Sequence, residues 1–183
     1  MRAGNTASNF GWVTMALHWT MALGLIAALW LGLRIASTQI GLSTLWLFSW
    51  HKSLGIALLG AAVLRLAWHR ASPPPRPAEA GMAAWQLALG RMVHRSFYLL
   101  MLAIPLVGWV ASAATGPDVV VFGVALPRIA PTSEVLAAGG FAVHRWLGYA
   151  LIAALTLHVA GVLHRAVWLR DGSLGRILPL RRP

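Results

Sequence analysis

Four apolar stretches, at residues 12–35, 50–68, 97–114 and 141–168, constrain this chain of 183 residues more than any other feature. Each is near or above the roughly 20 residues that a helix needs to cross the hydrocarbon of a bilayer. All are rich in Leu and Ala, and the breaks between them carry the charge and most of the proline. Hydrocarbon supplies no hydrogen bonds, so a spanning segment must satisfy its own backbone, as a helix does. The expected fold is therefore an all-α membrane protein. It is one domain over residues 1–183, a four-transmembrane-helix bundle with the third helix running 94–114. The first stretch is too long for a signal peptide and lacks a small-residue cleavage site, so it reads as a retained helix.

Charge then orients the bundle. Only 10% of residues are charged, yet the net charge is +11. With four spans, both termini and the 72–81 loop share one side. That side holds Arg2, Arg65, Arg70, Arg76, Arg91, Arg95, Arg165, Arg170, Arg176, Arg181 and Arg182. The other holds only Arg34, Lys52, Arg128 and Arg145. Eleven against four is the positive-inside bias, which predicts cytoplasmic termini. The basic excess is thus a topology signal rather than a nucleic-acid footprint. The expected surroundings are membrane lipid, with no nucleic acid.

There are no cysteines, which excludes disulfides, iron–sulfur clusters and the covalent attachment of c-type haem. Any haem must be held non-covalently, as b-type. The four acidic residues, Glu79, Asp118, Glu134 and Asp171, all fall in loops or tails. A carboxylate-bridged metal centre or a cation pump is therefore not expected.

Between the spans, SPPPRPAEAG at 72–81 is a proline-rich break, and MAAWQLALGR reads as a short interfacial helix before helix three. The outer connection ATGPDVVVFGVALPRIAPTSEVLAAGG is too long for a tight turn, and its Gly and Pro suggest a strand-like or irregular cap. Pro105 is expected to kink helix three. The C-terminal WLRDGSLGRILPLRRP reads as a basic segment on the inner membrane surface. One local echo matters: HKSLG opens helix two at His51 and HRWLG opens helix four at His144.

Seven histidines occur: His18, His51, His69, His94, His144, His158 and His164. The fourteen residues from His144 to His158 rise about 21 Å and return to nearly the same helix face. Depth along the four spans matches His18 with His158 in the inner half, and His51 with His144 near the outer surface. A lone membrane histidine is commonly an interfacial or hydrogen-bonding group. Two depth-matched pairs are harder to read that way, because intramembrane ionisable groups are costly. Paired imidazoles with a planar gap suit the axial ligation of two six-coordinate haems. Zinc would want further ligands that this interior lacks.

His69, His94 and His164 face the inner end, either as plain interfacial histidines or as a proton-carrying or quinone-contacting cluster. Lys52 and Arg145 each follow an outer histidine. They either pair with haem propionates or form a positive mouth, an outer donor site attracting a small anion. Arg65 and Arg95 are candidates for inner-haem propionates. Trp19 and Trp146, near the expected ligands, are candidates to pack on porphyrin edges.

The chain resembles the bacterial cytochrome b561 proteins, four-helix dihaem cytochromes of the inner membrane. The likeness spans nearly the whole chain: LHW around His18, HKSLG around His51, YLLMLAIPLVGW in helix three, FGVALP in the outer loop, HRWLGY followed by LH in helix four, and WLRDGSLGRILP after it. The resemblance implies two haem b groups, ligated by His18 with His158 and by His51 with His144. It also implies electron exchange with ubiquinone and a multi-pass bacterial inner-membrane location. One activity described for the family is superoxide oxidation at the periplasmic face, so a quinone-linked oxidoreductase is expected. The alternative is a haem-bearing anchor subunit relaying electrons for a partner oxidoreductase. A haem-free structural bundle is the remaining one.

Overall fold

The computed structural model describes residues 2–76 and 81–178. Arg181 and Arg182, counted in the charge bias, and Glu79 lie outside the described residues. Four helices are long and apolar enough to cross a membrane. They are α1 (Trp12–Ala36), α2 (Leu45–Ala71, entered through a 3-10 turn at Leu42–Thr44), α3 (Ala84–Ala114) and α4 (Glu134–His164, extended by a π turn at Arg165–Leu169). Some leucines point away from the bundle, Leu23 and Leu99 each 68% exposed, as a lipid-facing surface requires.

The helices outrun the apolar stretches, and local chemistry explains where they begin. The expected interfacial helix merges with the third span, because nothing between Ala84 and Val93 breaks a helix. The Gln86 side chain also caps its start by accepting the Ala83 N–H at 2.8 Å. α4 begins at Glu134 because the Ser133 hydroxyl accepts the Leu136 N–H at 3.2 Å and Glu134 supplies a negative charge to the first turn. α3 runs on as helix through Pro105, which withholds the N–H that the Met101 carbonyl would otherwise receive.

α3 packs most closely against α4, then α1 against α2 and α2 against α3. At one point α3 and α4 nearly touch: a Cβ on Gly140 would lie 2.8 Å from that of Ala111. The main core, mid-bundle, joins all four helices through Met21, Leu25, Leu58, Ala62, Leu100, Met101, Leu151 and Ala154. A second apolar cluster, including Ala113, Val119, Val121, Ala130 and Ala137, roofs the end away from the termini.

The connection from α3 to α4 forms that roof as a small hairpin, β1 (Val120–Val121) and β2 (Val124–Ala125). Its two turn residues, Phe122 and Gly123, have φ of 47° and 82°, the handedness that suits a two-residue hairpin. Phe122 holds this uncommon conformation because its N–H donates to the Ser53 hydroxyl at 3.0 Å and its ring packs edge-on against Trp50. Arg128 pins the same connection by donating to Thr132 and to the Gly116 carbonyl.

The opposite end gathers both termini. Asn5 bonds Ser72 through backbone and side chain, Trp68 donates to buried Thr14 at 2.9 Å, and Trp19 donates to the Ile177 carbonyl at 2.9 Å. Past α4, Arg165 and Asp171 form an ion pair at 2.6 Å, and Asp171 also accepts the Ser173 N–H. Burial pushes the Asp171 carboxyl up, but the hydrogen bonds from Ser173 and the Arg165 guanidinium outweigh it and hold the group below its ordinary 3.8. A lowered folded value means the clasp contributes above the unfolded value and is lost as pH falls through the lowered one. Carbon-detected titration should place the Asp171 midpoint below 3.8. Replacing Arg165 by Gln should raise it toward that value, with the Ser173 N–H still holding it down in part.

Candidate functional site

Antiparallel helices bring residues from opposite ends of adjacent spans to one depth, and two pairs of imidazoles meet this way. His18 of α1 and His158 of α4 have ring centroids 6.4 Å apart; His51 of α2 and His144 of α4 are 5.9 Å apart. The first pair lies toward the terminal end and the second toward the hairpin end, with the mid-bundle core between them. Each ring is partly shielded.

These separations bear on what the pairs can hold. Two imidazoles bonded through nitrogen to one metal atom at about 2 Å each would place their centroids roughly 6 Å apart. Both pairs meet that condition. Among the described residues, no three His, Asp or Glu side chains converge as a metal-binding group. A two-imidazole site therefore suits an iron whose other ligands come from a macrocycle. The haem groups expected from the sequence thus fit the residues present.

The hairpin-end pair shows a further preparation for ligation. His51 Nδ1 lies 3.1 Å from the Ala28 carbonyl and His144 Nδ1 lies 2.9 Å from that of Ile104. A carbonyl can only accept, so each Nδ1 carries the proton and each Nε2 is left with its lone pair. That is the tautomer a metal ligand needs, held by an outer partner. These two carbonyls were not legible in the sequence, because a backbone acceptor leaves no side-chain signature.

The terminal-end pair is surrounded differently. The Arg65 guanidinium lies 3.5 Å from His18 Nδ1, and its Nε is buried with no hydrogen-bond partner among the described residues. The residue is partly buried, and no carboxylate among the described residues pairs with it. Trp19, the candidate for a porphyrin edge, packs edge-on against His18 at 5.2 Å. Phe97 and His94 pack edge-on against His158 at 5.5 and 5.2 Å.

His69, His94 and His164 reach the terminal half but go to three different places. His94 joins the His158 ring. His69 Nδ1 meets the Tyr98 hydroxyl at 2.9 Å, and its Nε2 is buried without a partner among the described residues. His164 stacks on Trp168. Tyr98 was missed from the sequence; its signal was its place one helical turn after His94. Arg95 is not brought to the pair: it shares a groove with Ala88, Arg91, Met92, Ser96 and Leu99, on the other side of α3 from Phe97 and His94. Trp146 packs on Tyr149 and is largely exposed. Lys52 and Arg145 follow the hairpin-end ligands in sequence; Arg145 is exposed and Lys52 half-buried.

Comparison with known proteins supports one family throughout. The family model for prokaryotic cytochrome b561 matches residues 9–180. The chain is 30% identical over 182 residues to cytochrome b561 homolog 2 of Escherichia coli, covering 95% of this chain and 93% of the relative. It is 27% identical over 169 residues to the probable superoxide oxidase CybB of Yersinia pestis, covering 92% and 94%.

Proposed function

The chain belongs to the prokaryotic cytochrome b561 family, a multi-pass bacterial membrane haem protein of electron transfer, and from that premise we propose that it is a dihaem quinone-linked oxidoreductase. It moves electrons from a periplasmic one-electron donor, superoxide, to ubiquinone at the cytoplasmic side of the inner membrane. The observation that carries this reading is the pair of cross-helix imidazole sites, each taking one ring from α4 and holding ring separations of 6.4 and 5.9 Å.

His18 and His158 hold the inner b haem, and His51 and His144 the outer one. A haem held between each pair of imidazoles would supply a one-electron iron couple, which suits outer-sphere transfer rather than oxygen binding. Both termini face the cytoplasm, as the arginine bias supports. Lys52 and Arg145, near the outer ligands, raise the local concentration of a small anionic donor. Arg128 adds a fixed positive charge to that field, its guanidinium held in the loop by Thr132 and Gly116. Arg65 anchors the carboxylates of the inner haem.

The overall reaction balances as two superoxide ions giving up two electrons to become two dioxygen molecules. Ubiquinone accepts those electrons with two protons from the inner side. His69, with Nδ1 on Tyr98 and an Nε2 unpartnered among the described residues, is the member of the inner histidine group best placed to hold such a proton; His94 flanks the ligand and His164 lies nearer the surface.

The test is a reduced-minus-oxidised spectrum with haem quantified per chain, followed by a superoxide pulse with ubiquinone present. Two low-spin b haems and quinol formation are expected. Zero or one haem overturns the pairing. Two haems without superoxide-driven quinol overturn the donor assignment and favour an anchor subunit for a partner oxidoreductase.

A further inference from the structure

The chain contains an internal repeat that the short His-x-x-Leu-Gly echo only hints at. A shift of 76 positions carries α1 onto α3, matching His18 with His94, Ala28 with Ile104 and Gly32 with Gly108. A shift of 93 carries α2 onto α4, matching Phe48, His51, Lys52, Leu54, Gly55 and Leu58 with Phe141, His144, Arg145, Leu147, Gly148 and Leu151. The core is built from matched positions: Met21 and Phe97, Leu25 and Met101, Leu58 and Leu151 all pack in it. Two helical hairpins thus face each other as equivalents, and the outer histidines are equivalent residues.

Their surroundings are equivalent as well. Each outer histidine donates from Nδ1 to a carbonyl on the preceding helix of its own hairpin, Ala28 for His51 and Ile104 for His144. Four residues on, one turn along the same helix face, comes a glycine. A Cβ on Gly32 would lie 3.1 Å from His51 Cε1, and one on Gly108 would lie 3.0 Å from both Cε1 and Nδ1 of His144. Carbonyl and glycine together make a seat: one fixes the ring by a hydrogen bond and the other admits it by lacking a side chain. The two seats hold the rings at 84° to each other. The inner pair has no such equivalence. The position matching His158 is Arg65, the position matching His18 is His94, and the His18 and His158 rings meet at 57°.

We propose that Gly32 and Gly108, with the carbonyls of Ala28 and Ile104, are positioning residues that hold the outer axial imidazoles near-perpendicular and so set the electronic state of the outer haem. The proposal rests on the assignment of His51 and His144 as its ligands. Perpendicular axial imidazoles leave two iron d orbitals nearly equal in energy, which gives the ferric low-spin centre a strongly anisotropic paramagnetic signal. Rings turned toward parallel separate those orbitals and reduce the anisotropy. The outer haem therefore has the more anisotropic of two low-spin signals.

Electron paramagnetic resonance of the oxidised protein, with haem counted per chain, tests this. Wild type should show two low-spin signals, one strongly anisotropic. Gly32→Ala and Gly108→Ala should each weaken or shift that signal toward lower anisotropy and leave the other unchanged, the second signal serving as the control for folding. Gly24→Ala introduces the same crowding on α1, 3.1 Å from Leu58 Cδ2, but against a flexible side chain away from the histidines; it should leave both signals intact. Two wild-type signals without strong anisotropy overturn the proposal before any variant is made. An unchanged anisotropic signal in either seat variant also overturns it, as does joint loss of both signals in both variants. Fewer than two low-spin haems in wild type sinks the ligand assignment instead.

Discussion

Replacing His51 or His144 with alanine is expected to leave one haem per chain instead of two and to abolish superoxide-driven ubiquinone reduction. Each residue supplies half of the 5.9 Å outer pair, and no third imidazole contacts either ring among the described residues' ring contacts. The inner pair should survive, because the core of Met21, Leu25, Leu58, Leu100, Met101 and Leu151 separates the two sites. His18→Ala or His158→Ala should give the mirror result, with the outer haem kept. His164→Ala should keep both haems, since that ring stacks on Trp168. Extracted haem per chain measures the first effect and quinol formation the second. Retention of two haems in His51→Ala would refute the pairing.

Arg65→Leu is expected to raise the rate of inner-haem loss to a haem-scavenging protein by roughly thirtyfold, leaving the outer haem bound as before. The guanidinium is partly buried beside His18 and its Nε has no partner among the described residues. Among the described acidic residues, Asp118 and Asp171 lie outside the helices and Glu134 stands at the first position of one. On the proposed reading, the anion that Arg65 meets is a haem propionate. A hydrogen bond to a charged group contributes about 2 kcal/mol, which corresponds to roughly thirtyfold in affinity. Arg65→Lys should fall between, because lysine keeps the charge but not the two-pronged donor. Equal loss rates in Arg65→Leu and wild type would show that the cation serves another partner.

Much of this protein was readable before any coordinates. Long apolar runs in water-excluding hydrocarbon admit one kind of backbone, so α1 to α4 follow from hydropathy alone. Their ends were less legible: the apolar windows missed the first turns of α2, α3 and α4. Those turns are held by caps such as Ser133 and Gln86 rather than by lipid. The histidine pairs were legible because helical rise converts sequence position into depth. What lies beside each histidine was not. His94 read as one of three histidines at the inner end, interfacial or part of a proton-carrying or quinone-contacting cluster; the packing of α3 against α4 turns it onto His158. Arg95, one position later, points away, since successive helix residues are about 100° apart.

Composition and periodicity therefore decided the number of spans, the lack of any cysteine to hold a cofactor, and the relative depth of the paired histidines. These depend on properties that add along one helix: length, polarity and rise per residue. The packing of helix on helix decided the rest. It placed the carbonyls of Ala28 and Ile104 on the outer rings, set Tyr98 on His69, and brought the Arg65 guanidinium beside His18. Each of those contacts depends on the rotation of one helix against its neighbour. That rotation is set by side chains and glycines meeting across the interface, and no single helix contains it.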